Sequence, residues 1–320
     1  MAYLAVKLPR KFSKLNFLLM TSPLPLPVSP GIRIVYLFLL LLAGLFVAGL
    51  FLMILAFVPG MENGGRATLY IGTTLQAVIA FMLPAYLVTR MSTPAPLQYL
   101  KLKGVPGIRQ KLAFGVFVFI LSYASVSFLN QWNKSIVLPE SLHQVEEWMR
   151  TLEDAAMETT HLLLSGGSVL YFVLNLLIVA GLAAISEEIF FRGALQQFLQ
   201  EKYRNGHVAV WISALIFSVI HFQFYGFFPR LVLGALLGYL FLYTRNLWVP
   251  ILVHFINNAT VIVLSYFWSD TEWMHDLEET ELTATFAVMA AASVALTLLL
   301  FRNYRKRNAR PVSNRAETPV

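Results

Sequence analysis

Two things are scarce in this chain: it has no cysteine, and only 13% of its 320 residues are charged. The missing cysteine excludes disulfides, thiolate catalysis and cysteine-held zinc. The shortage of charge excludes an ordinary soluble domain, in which about a quarter of the residues are charged. Acidic residues are the scarcer sign, 17 against 24 basic, for a net charge of +7. What fills the chain instead is apolar, 58% of it, in repeated runs of roughly 20 residues, the length a helix needs to cross a bilayer. The basic residues fall in short loops and tails, where they set topology and touch anionic lipid. Membrane lipid is therefore the expected partner, and nucleic acid is not.

Residues 1–33 read as a cytoplasmic arm. The cluster Lys7, Arg10, Lys11, Lys14 precedes only a short apolar stretch, and Pro23, Pro25, Pro27 and Pro30 then prevent a helix from continuing. A transmembrane domain follows over 34–302, and a basic tail over 303–320. The fold class expected is an all-α, polytopic bundle of about eight spans: 34–58, 67–89, 112–130, one from near Ser168 through Glu188, a short one at about 207–222, then 228–244, 247–268 and 282–301. The long connection 131–167 is expected to hold a surface helix, because Ser141–Met149 mixes apolar and acidic residues at near-helical spacing.

Charge gives an independent check on topology. Arg33, Arg90, Lys101, Lys103, Arg109, Lys111, Arg245 and the tail from Arg302 all fall in the loops that an eight-span chain places on one side. The other side collects Glu140, Glu146, Glu147, Glu153, Asp154 and Glu158, then Asp270, Glu272, Asp276, Glu278, Glu279 and Glu281. Positive loops face the cytoplasm, so both termini are expected there, in what we expect to be a bacterial inner membrane. Reporter fusions at Lys101 and in the tail should then report cytoplasm, and fusions at Glu147 and Glu278 the opposite side. A cytoplasmic Glu278 breaks the eight-span arrangement.

Ionisable residues inside a span are costly and usually functional or paired. Three short patterns carry them. The first is Glu187-Glu188-Ile-Phe-Phe-Arg192. Glu188 and Arg192 share a helix face and can neutralise each other, whereas Glu187 points about 100° away without a local partner. A lone carboxylate in a low-dielectric cavity suits general acid–base work. The second is Phe217-Ser-Val-Ile-His221, two residues on one helical face. The third is His254-Phe-Ile-Asn-Asn258, in which His254 and Asn258 share a face and can donate to a developing oxyanion.

Each piece has a bland counterpart. A Glu–Arg pair four apart is a common salt bridge, His221 could be interfacial, and His254 and Asn258 could join neighbouring helices. Asn257 reads as structural glue, and His143, His161, His207 and His275 as interfacial or solvated. The combination is what argues for a site: carboxylate, two histidines and an amide spread over three spans of an apolar bundle. If the helix bearing Glu187 runs on to Tyr203 and turns at Arg204–Gly206, then Glu187 and His221 lie at similar depth. His254, seven residues into its span, fits that depth less well. Gly234 and Gly238 would allow close packing or a bend.

These three patterns, in this order, resemble the type II CAAX prenyl endopeptidases and their bacterial relatives, the CAAX proteases and bacteriocin-processing enzymes also called abortive-infection proteins. Their pattern is E-E-x-x-x-R, F-x-x-x-H and H-x-x-x-N or D, and the resemblance covers about 165–268, including Phe191-Arg192-Gly193 and Leu247-Trp-Val-Pro-Ile251. It implies an intramembrane endopeptidase that hydrolyses a peptide bond with an activated water. Glu187 and His221 would activate the water, His254 and Asn258 would stabilise the oxyanion, and Glu188 and Arg192 would support them. The substrate would be a membrane-associated peptide or protein, prenylated or not. Glu187, His221 and His254 could instead hold zinc with one position open, but H-E-x-x-H is absent and metal-independent catalysis is the expectation. A proton-coupled transporter, and a non-catalytic scaffold or immunity factor on the same fold, remain the rival readings.

Overall fold

The computed structural model describes residues 28–59, 61, 64–165, 167–269, 271 and 282–308. Most of the N-terminal arm, the acidic stretch from Glu272 to Glu281 with Asp270 and His275, and the tail beyond Asn308 lie outside the described residues. The described residues form helices and their connections, with no strand among them. We number the helices α1 Pro30–Leu55, α2 Arg66–Ser92, α3 Ile108–Lys134, α4 His143–Leu164, α5 Val169–Tyr203, α6 Gly206–Val219, α7 Phe227–Thr244, α8 Trp248–Trp268 and α9 Ala284–Asn308.

Seven of these segments are long and apolar enough to cross a membrane, α7 with the turn Phe224–Gly226 before it included; the surface helix α4 and the 14-residue α6 are the exceptions. The outward faces carry the signature of a lipid solvent. Phe46, Ile120, Val288 and Leu298 each expose more than 60% of their surface. In water, apolar faces of this extent would drive aggregation; in hydrocarbon they are at no disadvantage. The protein is an integral membrane protein.

Contacts sort the helix ends into two sets. Arg33 at the start of α1 pairs with Glu201 near the end of α5 (2.8 Å). Lys111 at the start of α3 donates to the carbonyl of Thr244 at the end of α7, and Tyr304 of α9 stacks on Phe114 of α3. At the other end, Arg66 opens α2 and donates to the carbonyls of Leu162 and Ser165, while Tyr266 near the end of α8 donates to Gly167. The first residues of α1 and the last of α9 thus share one end of the bundle, which requires an even number of crossings. α6 supplies the eighth. It rises about 21 Å at 1.5 Å per residue, and the loop after it reaches the far end, where Asn133 of α3 bonds to Phe224 and Phe228.

Local sequence explains the turns. Pro30 sits in the first turn of α1, where its missing N–H costs nothing. Arg204 adopts a left-handed conformation that ends α5, and Asn205 caps α6 by accepting from the N–H groups of His207 and Val208. That is the turn expected from sequence. α4 is longer than the expected surface helix. Its C-terminal carbonyls are held by Arg66, whose guanidinium also lies 4.1 Å from the Tyr171 ring centroid, and by Asn175, which donates to Leu163.

Candidate active site

The 35-residue α5 is not one uniform α-helix. Two stretches of wider π turns, Asn175–Leu182 and Ile189–Gln196, flank the α-helical Ala183–Glu188. Such turns are rare and recur at functional sites. Every residue from Ile189 to Gln196 is buried, with Phe190, Phe191 and Leu195 fully enclosed. This enclosed segment fixes the two glutamates directly before it.

Glu188 turns into the bundle and Glu187 towards a cavity. Glu188 is fully buried, and its Oε1 accepts from Arg192 Nη1 at 2.7 Å and from His254 Nδ1 at 2.9 Å. Arg192, 1% exposed, also donates to the carbonyl of Gly234 (3.0 Å), and its guanidinium lies 4.7 Å from the centroid of the Phe217 ring. The pair expected from sequence is present, and His254 completes it as a triad. Glu187 keeps 19% of its side chain exposed, and its Oε2 stands 3.8 Å from His254 Nε2. The His254 ring is therefore held between the two adjacent carboxylates. An ionised Glu188 can only accept, so Nδ1 carries the proton and Nε2 is the nitrogen turned towards Glu187.

His254 reaches this depth because α8 does not begin level with the end of α5. Leu247, just before α8, packs at Gly193, where an added Cβ would lie 3.4 Å from the leucine side chain and 3.0 Å from Leu100. The depth mismatch read from residue counts assumed a common starting level. His221 also differs from expectation. α6 ends at Val219, so His221 lies beyond the helix, and its Nδ1 bonds to the carbonyl of Phe217 at 2.6 Å. The i, i+4 relation survives as a side-chain cap, leaving Nε2 free. Phe217 packs edge-on against both His221 (4.8 Å) and His254 (6.0 Å), besides lying under Arg192.

Gly234 and Gly238 act as close-packing positions. A Cβ on Gly234 would lie 3.3 Å from Ala214 and Phe217, and one on Gly238 3.0 Å from Val210 and Gln196. Their carbonyls receive Arg192 and Gln196. Asn257 donates to Asn258 Oδ1 (3.2 Å), which leaves the Asn258 amide N–H groups available. The other described histidines, His143, His161 and His207, do not line the cavity: His207 bonds to Tyr239, and His143 lies 3.7 Å from Glu147 on the exposed α4.

One cavity of about 520 Å³ is lined by Glu187, Phe217, His221, His254, Asn257 and Asn258, and closed on one side by Thr160, Leu163 and Leu164 of α4. Besides Thr73 and Thr160, two further polar residues line it, Gln223 and Arg230. The sequence patterns pass over both, since Arg230 sits only three residues into the sixth span and reads as interfacial charge. The surface helix was legible as a helix, but not as a wall of the site. As placed, Glu187, His221 and His254 do not converge as the donors of one ion: no three His, Asp or Glu among the described residues form such a group.

Fold and site define an integral membrane helical bundle that encloses carboxylate, imidazole and amide groups in one cavity. Residues 169–260 match the family model of the type II CAAX prenyl endopeptidase Rce1-like proteins, a segment from the start of α5 into α8 that holds all three patterns. Two curated proteins of Bacillus subtilis (strain 168) are similar over part of their length. "Uncharacterized protein YpbD" is 35% identical over 82 residues, 24% of this chain and 39% of that protein. "Putative membrane peptidase YdiL" is 32% identical over 80 residues, 25% of this chain and 32% of that protein. The chain thus spans about a third to two fifths of the length of these relatives. No solved structure matches.

Proposed function

We propose that this protein is an intramembrane endopeptidase acting on a membrane-associated peptide or protein, in a bacterial inner membrane. The observation that carries the proposal is the single cavity shared by Glu187, His221, His254 and Asn258. The family match and the peptidase named among the relatives support it, and neither favours a transporter. In the proposed reaction a water lies between Glu187 and His221 Nε2. Its proton passes to Glu187 as its oxygen bonds to the peptide carbonyl carbon and the C=O electron pair moves to oxygen. Asn258 Nδ2 donates to that oxyanion, and so does His254 Nε2 when the ring carries both protons. The C–N bond then breaks, and the leaving nitrogen takes the proton from Glu187. Glu188 and Arg192 hold His254 in place. No step is routed through a metal; Glu187, His221 and His254 as placed do not form a three-donor group.

Purified protein in lipid, offered a peptide library that includes prenylated tails, should give product pairs whose masses sum to substrate plus one water. A chelator should leave the rate unchanged. Stoichiometric zinc, lost together with activity on chelation, would replace the metal-free chemistry. A library left intact throughout sinks the peptidase proposal.

A further inference from the structure

The cavity lining includes polar groups that the hydrolytic chemistry does not use. Arg230, in the first turn of α7, reaches the cavity with its guanidinium tethered to one residue: Nη2 donates to Gln223 Oε1 at 2.6 Å and Nη1 to the Gln223 carbonyl at 3.3 Å. A guanidinium has more N–H donors than these contacts engage. It forms an ion pair with none of the described carboxylates. The charges whose fields reach it are those of Glu187 and of Glu153 in α4, and its own field reaches His221. The rest of the lining is mostly apolar, Leu163, Val179, Leu233 and Val261 among it, with Thr73 and Thr160. A part-buried cation without an ion pair among the described carboxylates, in a cavity that also holds the reacting groups, is arranged to receive an anion.

We infer that Arg230, positioned by Gln223, is a specificity residue that binds a carboxylate of an otherwise apolar peptide. This rests on the endopeptidase reading for the identity of the ligand as a peptide. A monoanion suits the pocket better than a phosphate, since Glu187 and Glu153 already place negative charge around the guanidinium. The carboxylate can come from the peptide's own C-terminus or from an acidic side chain. Either one, held at Arg230, fixes which peptide bond lies over Glu187.

Binding decides this without relying on turnover. A short, fluorescent apolar peptide is prepared with a free C-terminal carboxylate, with a terminal amide, and as the amide with one internal glutamate. Its affinity is measured for Glu187→Gln protein in lipid nanodiscs. The free acid should bind on the order of 10-fold tighter than the plain amide, the scale of one charge-assisted hydrogen-bonded pair. Arg230→Gln should erase the difference, and Arg230→Lys should keep part of it. Tight binding of the internal glutamate peptide identifies a side-chain carboxylate, and its failure identifies the C-terminus. Equal affinity of all three peptides overturns the inference. So does an equal loss for all three in Arg230→Gln, which would make Arg230 a brace for the Gln223 loop. The comparison of acid and amide needs no change at Arg230, so a variant that misfolds does not block it. A carboxylate preference in a protein that hydrolyses nothing would remove the peptidase reading and leave this site standing.

Discussion

Glu187→Gln is expected to lower peptide hydrolysis by on the order of 10²-fold or more, with the protein folded and its peptide affinity kept. Gln keeps the shape of the side chain and its 3.8 Å approach to His254, but it cannot take the proton of water. Glu187 has no part in the buried Glu188–Arg192 pair, so the substitution leaves no charge unpaired in the bundle interior. Asn258→Ala should lose a comparable factor by removing one oxyanion donor, about 10²–10³. Single-turnover rates in lipid check both, with intrinsic fluorescence melting as the control for folding. Full cleavage by a folded Glu187→Gln protein would remove the central residue from the mechanism, whatever family the segment matches.

Glu188→Gln is expected to fail in a different way. Arg192 is 1% exposed and Glu188 fully buried; neutralising the glutamate strands a guanidinium where no water can solvate it. Losing one member of such a pair costs about 3–5 kcal/mol. The glutamine amide oxygen can still accept from His254 Nδ1, but it lacks the negative charge that holds and polarises that ring, so rate and stability should fall together. The double variant Glu188→Gln/Arg192→Gln removes both charges and should recover part of the stability but not the rate, because no carboxylate then orients His254. A Glu188→Gln protein that melts like the wild type would contradict the buried triad.

The two variants separate roles that adjacent positions in the sequence left unassigned. Residues 187 and 188 differ by one step of about 100° around a helix, and that step was readable. Which of them faces the cavity was half readable, since Arg192 at i+4 could only favour Glu188. That His254 would sit between them was not readable at all. It depends on α8 starting part-way along α5, where Leu247 packs at Gly193, and no count of residues along the chain carries that offset.

Sequence by itself determined the solvent, the helices and the chemistry. Long uncharged runs can only be helices in lipid, where every backbone group must be satisfied within its own segment. Carboxylate, imidazole and amide within such runs are too costly to be incidental. The turn at Arg204–Asn205 and the close packing at Gly234 and Gly238 were legible for local reasons, namely a capping side chain and the absence of a Cβ. Tertiary structure alone decided three things. It set the depth of His254, through the staggered start of α8. It made α4 a wall of the cavity, through Arg66 and Asn175 binding its last carbonyls. It brought Arg230 into the site, through the loop at Gln223. Each is a relation between segments far apart in the chain. Periodicity reports which face of a helix is polar, and it is silent on which neighbour that face meets and at what height.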